Sequence, residues 1–264
     1  MACCPSVLQT PEPHGHVVQF HDNDVRTLTN NVCQYLFEGL KREESALVVV
    51  TPQHWDVFLL QLRRLGANPE KAIADSRLVR LDAERTLGEF MMDGQPDWHR
   101  FEKVISAAMR KLLAENPAGL RAYGEMVGVL WKAGQYSAAI RLEEFWNRLL
   151  QGGDFSLFCS YPIDIFSEEF QTSGLESVFC DHTHVIPTGM DETLGRSINR
   201  AMDKHLGARA RELKSLISQK LRPSRAVLPK GEGMILWLRD NLPRDAEAIV
   251  SLARQYYRAA VSEV

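Results

Sequence analysis

The sequence predicts an α/β protein, with a three-layer, mostly parallel sheet followed by a C-terminal all-helical module. Short apolar runs, among them HVVQF (16–20) and ALVVVT (46–51), alternate with helical patterns, which is typical of βαβ units. Right-handed crossovers then place helices on both faces of the sheet. After Pro187 the strand patterns stop, and apolar residues recur at helical spacing.

The predicted elements follow one another in a regular order. A helix follows HVVQF, with Asp22 or Asp24 as its cap, and ALVVVT is the pattern of a strand buried on both faces. Pro52 opens the next helix and Gly66 ends it. The remaining elements up to Pro187 are a strand at 78–82, helices at 84–92 and 97–115, a strand running into a turn or helix over 120–131, a helix at 137–151, a strand at 155–161, a helix near 164–178 and a last strand in HTHVIP.

We predict three parts of the chain. Residues 1–13 form a disordered tail, 14–188 the α/β domain and 190–264 a helical dimerisation or output module. Within that module we expect one long helix over 191–221, a linker at 222–233 and two short helices around Pro243.

Composition bounds the class of protein. Hydrophobic residues make up 45% and charged residues 25% of the 264 residues, which is ordinary for a globular chain. No apolar run approaches the roughly 20 residues of a membrane span, and the first residues lack the pattern of a secretory signal. Five cysteines, an odd number, favour a reducing compartment over a disulfide framework. We therefore expect a cytoplasmic protein with no membrane partner.

Charge is distributed unevenly along the chain. The formal net charge of −3 argues against a generic binder of polyanions. Between Thr193 and Lys230, however, ten basic residues face two acidic ones. This basic helix favours pairing with a second copy or docking onto an acidic protein, since so long an apolar stripe usually packs on another helix. Contact with nucleic-acid phosphates is the less favoured alternative.

The carboxyl ends of the predicted strands supply the candidate ligand-binding residues. In an open parallel sheet, helix N-termini and loops converge at that edge and form a cleft. Each candidate has an ordinary alternative as a solvated loop residue or helix cap, and Asp22 and Thr51 are good caps. The residues that follow the strands are His21, Asp22, Thr51, Asp82, Gly124, Glu125, Ser160 and Tyr161.

Known phosphate-binding loops are missing from the sequence. The first strand leads into FHDNDVRT, where carboxylates stand in place of the glycines and lysine of G-x-x-x-x-G-K-[ST]. The G-x-G-x-x-G fingerprint of dinucleotide-binding folds is absent as well. We therefore predict no P-loop ATPase activity.

An ordered series of motifs resembles a known sensory family. HVVQFHDND, ALVVVTP, LVRLDAERTLGEFMMDGQPD, RAYGEMVGVLW, EEFWNRLL, FSLFCSYP and CDHTHVIP together are similar to the MEDS domain, the methanogen/methylotroph sensory domain, over about residues 14–188. The resemblance implies a RecA-like fold that lacks the phosphate loop. It also implies sensing of a small molecule and transfer of the signal to an attached kinase or DNA-binding module. This chain shows no kinase region, so its output falls to residues 190–264 or to a partner.

The motif CDHTHVIP (180–187) has several interpretations. On a strand, Cys180, His182 and His184 share one face, but the outer two Cα atoms lie about 13 Å apart, so all three cannot converge on one ion. Two of them with Cys159 could bind zinc. A Cys–His nucleophile lacks an orienting group. We favour a structural role in which Cys180 packs and one histidine forms a hydrogen bond near the pocket. The resemblance implies that His184 contacts the ligand.

The sequence therefore predicts a non-catalytic sensory or regulatory protein. We expect a small-molecule ligand, a signalling partner such as a kinase or regulator, and a homodimer. The sequence assigns no metal and no cofactor. We expect Glu143 and Glu144 to lie on a solvated helix face. One alternative is a metal-dependent hydrolase or transferase with Glu125 or Asp82 as base. The other is a DNA-binding regulator that uses the basic helix 193–230.

Overall fold

The computed structural model describes residues 6–22, 25–220 and 227–262 of the chain. These residues fall into two compact units. The first unit comprises residues 6–19 and 25–162, and the second comprises residues 20–22, 163–220 and 227–262. The alternative cap Asp24 and much of the predicted linker at 222–233 lie outside the described residues.

The first unit alternates strands and helices. Its elements are α1 (Ser6–Gln9), β1 (His16–Phe20, whose last residue falls in the second unit), α2 (Arg26–Lys41), β2 (Ser45–Val50), α3 (Pro52–Arg64), α4 (Pro69–Ala74), β3 (Leu78–Asp82), α5 (Ala83–Phe90), β4 (Met91–Met92), β5 (Gln95–Pro96), α6 (Trp98–Glu115), β6 (Leu120–Gly124), α7 (Met126–Lys132), α8 (Tyr136–Gly152) and β7 (Ser156–Tyr161).

The strands of the first unit lie in the order β3-β2-β6-β7-β1. β2 pairs in parallel with β3 and β6, and β6 pairs in parallel with β7. Every residue of β2 is buried, as expected for a strand with apolar side chains on both faces. The predicted α/β fold with a parallel sheet and C-terminal helices is confirmed.

The direction of the crossovers explains the layers. From β2 the chain moves outward to β3, and from β6 it moves the opposite way to β7. Right-handed connections therefore put α2 and α3 on one face and α5 to α8 on the other. Aromatic side chains fill both sides of the sheet: Phe58 of α3 meets Tyr123 edge-on at 5.5 Å, and Phe101 of α6 meets Trp146 of α8 at 5.2 Å.

Local chemistry sets several element boundaries. Asp82 and Asp97 cap α5 and α6, accepting hydrogen bonds of 3.0 Å from the backbone N–H groups of Arg85 and Arg100. The predicted helix at 84–92 ends at Phe90, because β4 and β5 form a hairpin instead. The turn between these strands is Asp93-Gly94, and both residues have positive φ, as an Asp-Gly hairpin turn requires.

Residues 6–9 of the predicted tail form α1, with Leu8 buried. Residues 1–5 lie outside the described residues.

The second unit is mainly helical. Its elements are α9 (Thr172–Asp181), β8 (His184–Ile186), α10 (Asp191–Leu206), a 3-10 turn (Gly207–Arg209), α11 (Ala210–Lys220), α12 (Lys230–Asn241) and α13 (Ala246–Ser262). α10 packs against α12 and α13. The predicted long helix is interrupted at Gly207, whose φ of +57° ends α10. The two helices predicted around Pro243 are α12 and α13. The helix predicted near 164–178 begins only at Thr172.

Among the described residues, no helix combines the length and the apolar character that a membrane span needs.

Gly128 provides a test of helix packing in the first unit. A Cβ atom at this position of α7 would lie 2.6 Å from the carbonyl oxygen of Ser160, a backbone atom that cannot rotate away. We expect Gly128→Ala to lower the free energy of unfolding by about 1–3 kcal/mol in urea titrations. Gly88→Ala in α5 is the matched control, because nothing lies within 4 Å of its Cβ, and it should be neutral or stabilising. Equal effects of the two substitutions would contradict this packing.

Candidate functional site

The candidate site lies where the strand connections reverse direction. β2 and β6 are neighbours, yet β2 connects outward to β3 and β6 connects the other way to β7. The first turns of the helices that follow them, α3 and α7, therefore diverge to opposite faces. Such a point leaves a crevice beyond the carboxyl ends of the two strands, which is where open α/β sheets bind ligands. Thr51 follows β2 and Glu125 follows β6 at this point.

The Glu125 carboxylate bridges the two strand ends. Its Oε2 accepts hydrogen bonds from the backbone N–H of Thr51 at 2.8 Å and from the Thr51 hydroxyl at 3.1 Å. Its Oε1 lies 2.5 Å from Nδ1 of His54, in the first turn of α3. The backbone N–H of Glu125 donates to Val49 of β2 at 2.9 Å. One carboxylate therefore joins the end of β6 to the start of α3.

The environment keeps Glu125 ionised although the residue is only 7% exposed. Burial alone raises the pKa of a carboxyl group, because it disfavours the charged form. The hydrogen bond and charge of His54 and the two Thr51 donors outweigh burial here, so the pKa of Glu125 lies below its ordinary value. At neutral pH the ends of β2 and β6 thus hold an ionised carboxylate that is paired with His54.

A buried hydroxyl pair lies behind this anion. The hydroxyls of Tyr123 and Ser160 are 2.8 Å apart, and both residues are fully buried. Burial, with a smaller contribution from the Glu125 charge, raises the pKa of Tyr123, so this phenol stays protonated. The pair joins β6 to β7 by a hydrogen bond between buried side chains.

Comparison with known families identifies the domain. The family model MEDS, described as the methanogen/methylotroph, DcmR sensory domain, matches residues 15–183, well over half of the chain. The chain belongs to the MEDS family. This confirms the resemblance noted in the sequence. No curated protein matches the chain.

The MEDS domain brings some predicted site residues together and separates others. Thr51 and Glu125 are in direct contact. Ser160 pairs with Tyr123, whereas the Tyr161 hydroxyl donates to Glu143 at 2.8 Å. Gly124 is buried in β6, where an added Cβ would only reach ordinary contact with Trp146.

Asp82 is occupied as the cap of α5, and its other oxygen accepts from Arg80 at 3.3 Å.

Three predicted residues belong to the second unit. Nδ1 of the buried His21 lies 2.9 Å from the carbonyl oxygen of Asp22. His184 begins β8, and its Nδ1 lies 3.2 Å from the hydroxyl of Thr183. Their part in ligand binding stays a prediction.

The strand predicted in HTHVIP is β8 (His184–Ile186), but Cys180 and His182 do not belong to it. Cys180 lies near the end of α9 and is exposed, so it does not pack in the core. His182 follows the helix and is buried, with Nδ1 2.6 Å from the carbonyl oxygen of Val178. The alternation of residue types suggested an extended chain, but α9 continues to Asp181, one turn further than the sequence indicated.

Sequence reasoning missed His54 and misplaced Glu143. His54 is one turn from Thr51 on α3, a position whose role depends on where β6 ends. Glu143 was expected on a solvated face, but the MEDS domain buries it completely, whereas Glu144 is exposed. A signal was present: Glu143 lies at helical spacing between Ala139 and Trp146, within the apolar stripe of α8.

An open cleft of about 380 Å³ lies elsewhere on the domain. Its walls come from α5, the β4–β5 hairpin and α7, and most of its surface is apolar. Its lining residues are Glu84, Leu87, Met91, Gly94, Val129, Leu130, Ala133 and Gln135. No residue predicted from the strand ends lines it.

Proposed function

We propose that this MEDS domain senses a small molecule in the crevice between the ends of β2 and β6, with Glu125 as the recognising group. The observation that carries the proposal is the ionised carboxylate of Glu125, 2.8 Å from the Thr51 backbone N–H at the point where the connections diverge. Membership of a sensory family supports the same role. The domain acts as a receptor and not as a catalyst.

The contacts of Glu125 suggest how binding becomes a signal. Without ligand, the carboxylate is satisfied by Thr51 and His54, both at the start of α3. A ligand that takes over one carboxylate oxygen removes a contact between β6 and α3. The first turn of α3 then prefers a different position. The ligand shifts this equilibrium only by the difference between its affinities for the two arrangements.

The charge of the crevice restricts the class of ligand. A cationic group or a neutral hydrogen-bond donor can replace His54 as the partner of the Glu125 carboxylate, whereas a phosphate is repelled by that carboxylate. The loop after β1 lacks the glycines and lysine that bind triphosphates. We therefore expect a small cationic or donor-bearing molecule and not a nucleoside triphosphate.

The output is proposed to pass through the helices of the second unit. Several cations of the basic segment are already engaged there: Lys214 pairs with Asp203 at 2.5 Å, and the Arg200 guanidinium lies 4.2 Å from the ring centre of Tyr256. The Lys214–Asp203 ion pair reduces the charge available for a DNA backbone. Docking with a second copy or with a signalling protein, a kinase or regulator, is the proposed role.

The test uses small molecules retained through purification. We expect untargeted mass spectrometry of the purified full chain to detect a bound molecule in the wild type and at least tenfold less of it in Glu125→Gln. The substitution removes the charge and retains the shape of the side chain. Glu84→Gln is the matched control, because Glu84 is exposed and lines the other cleft, and it should retain the molecule.

Two results would contradict the proposed function. If Glu84→Gln lost the molecule and Glu125→Gln retained it fully, the binding site would be the cleft between α5 and α7. Magnesium-dependent turnover of a nucleotide by the wild type, abolished in Glu125→Gln, would show an enzyme in place of a receptor.

A further inference from the structure

Three buried side chains with metal-binding atoms converge in the first unit. They are His16 at the start of β1, Glu143 in α8 and Cys159 in β7, and each is at most 1% exposed. Nε2 of His16 lies 3.3 Å from Sγ of Cys159 and 3.4 Å from Oε2 of Glu143. The Sγ and Oε2 atoms are 3.6 Å apart. The three atoms thus form a nearly equilateral triangle.

We propose that His16, Glu143 and Cys159 are ligands of a zinc ion. Zinc binds histidine nitrogen and carboxylate oxygen at about 2.0–2.2 Å and cysteine sulfur at about 2.3 Å, in tetrahedral geometry. Ligand atoms at those bond lengths and angles are about 3.3–3.6 Å apart, which matches all three sides of the observed triangle. The mixture of imidazole, thiolate and carboxylate also favours zinc over magnesium or calcium, which prefer oxygen ligands.

The fold places these ligands on rigid elements. β7 and β1 are neighbouring strands, and the Leu157 N–H donates to the Gly15 carbonyl oxygen at 2.8 Å, which fixes their register next to His16. Cys159 and Tyr161 lie two residues apart on β7 and therefore point to the same face. Glu143 lies on the buried side of α8. The site thus depends on no loop.

Outer contacts orient two of the three ligands. Nδ1 of His16 lies 2.9 Å from Oδ1 of Asn147, so this nitrogen carries the proton and donates it. Nε2 then keeps its lone pair toward the triangle. The Tyr161 hydroxyl donates to Oε1 of Glu143 at 2.8 Å, on the side away from the triangle. Partners of this kind are characteristic of zinc sites, where they fix the tautomer of the histidine and the direction of the carboxylate.

A proton is the competing occupant of the same triangle. Sγ of Cys159 lies 3.6 Å from Oε2 of Glu143, so without an ion the thiol can donate its proton to this carboxylate. Zinc binds the thiolate, and the thiol proton then leaves to solvent without any change of oxidation state. Affinity for zinc should consequently fall as the pH is lowered.

Metal analysis tests the site directly and independently of the proposed ligand. We expect the purified wild-type chain to carry about one zinc ion per molecule, or to take it up when titrated with zinc chloride. Cobalt(II), which replaces zinc, should give the charge-transfer absorption of a cobalt–thiolate bond. Cys159→Ser and Glu143→Gln should each lose most of the bound metal, and Cys159→Ser should lose that absorption.

Cys33→Ala is the matched control. Cys33 is a second fully buried cysteine of the first unit, and its thiol donates to the Phe58 carbonyl oxygen 3.5 Å away. This variant should keep both the zinc and the cobalt absorption. Tyr161→Phe leaves all three ligands in place and should weaken zinc binding by about 10–100-fold.

The proposal would be overturned if the wild type bound less than a tenth of an equivalent of zinc and showed no cobalt–thiolate absorption. The triangle would then hold a shared proton and not a metal ion. Equal loss of metal in Cys33→Ala and Cys159→Ser would overturn it as well.

Discussion

Arg121→Ala should lower the free energy of unfolding of the chain by about 3–5 kcal/mol. Arg121 lies in the middle of the sheet on β6 and is only 1% exposed. Its Nε lies 2.5 Å from Oε2 of Glu44, and its Nη1 donates to the carbonyl oxygens of Leu8 and Tyr35, each at 2.9 Å. Removing the guanidinium leaves a carboxylate and several buried carbonyl groups without their donor. Urea titration followed by circular dichroism measures the loss.

The same substitution should release α1 from the first unit. Arg121 also donates to the carbonyl oxygen of Gln9 at 3.1 Å, so it holds the last turn of α1 at two successive residues. Amide hydrogen exchange of residues 6–10 should speed up in the variant more than exchange in β2. Arg64→Ala is the control, because Arg64 is exposed on α3, and its effect should be within about 0.5 kcal/mol. A loss below 1 kcal/mol for Arg121→Ala would contradict this role of the guanidinium.

Glu232 should make the stability of the second unit depend on pH. This residue in the first turn of α12 is completely buried. Burial raises its pKa to about 7, the charge of Asp191 adds to the increase, and a backbone hydrogen bond from Thr188 opposes it. Oε1 accepts from the backbone N–H and the hydroxyl of Thr188, whereas Oε2 has no hydrogen-bond partner among the described residues.

The direction of the pH effect follows from this raised pKa. The folded chain holds the proton of Glu232 up to about pH 7, whereas the unfolded chain loses it near the ordinary glutamate pKa of 4.5. The stabilisation is therefore fully present below about pH 4.5 and is lost as the pH rises to about 7 and beyond. The difference between the pKa values of Glu232 in the folded and the unfolded chain corresponds to about 3 kcal/mol in the free energy of unfolding.

Glu232→Gln should remove this dependence. The stability of the variant relative to the wild type should rise by about 3 kcal/mol between pH 4.5 and pH 8, because glutamine carries no charge that must be buried. Urea titrations at several pH values measure this difference. Glu176→Gln in α9 changes an exposed carboxyl group of the same unit and should leave the difference flat. If the difference in stability between Glu232→Gln and the wild type did not change with pH, a buried, protonated Glu232 would be contradicted.

The sheet was predictable because its strands carry strong local patterns. A run such as SALVVV has apolar side chains on both faces, and only a central strand buries both. The hairpin of β4 and β5 was missed, because two-residue strands are too short for a pattern. The end of α9 was missed because the alternation in CDHTHVIP imitates a strand.

The candidate site was predictable only in part. Thr51 and Glu125 could be named from the sequence because any residue just after a parallel strand reaches the same edge of the sheet. The contact of Glu125 with His54 depends on the position of α3, which no local pattern gives. In the triangle, His16 lies 143 positions from Cys159, and Glu143 and Cys159 lie on different elements, so sequence spacing carries no signal for it.

The central claim is that a small molecule binds at Glu125. Amide hydrogen exchange tests it most directly, measured on the full chain with and without a deproteinised extract of small metabolites. We predict that the extract changes exchange at residues 50–55 and 124–128, around Thr51 and Glu125, and that Glu125→Gln abolishes the change. If the extract slowed exchange only at residues 84–94 and 129–135, around the other cleft, binding between the ends of β2 and β6 would be contradicted. The same contradiction would follow if Glu125→Gln responded like the wild type.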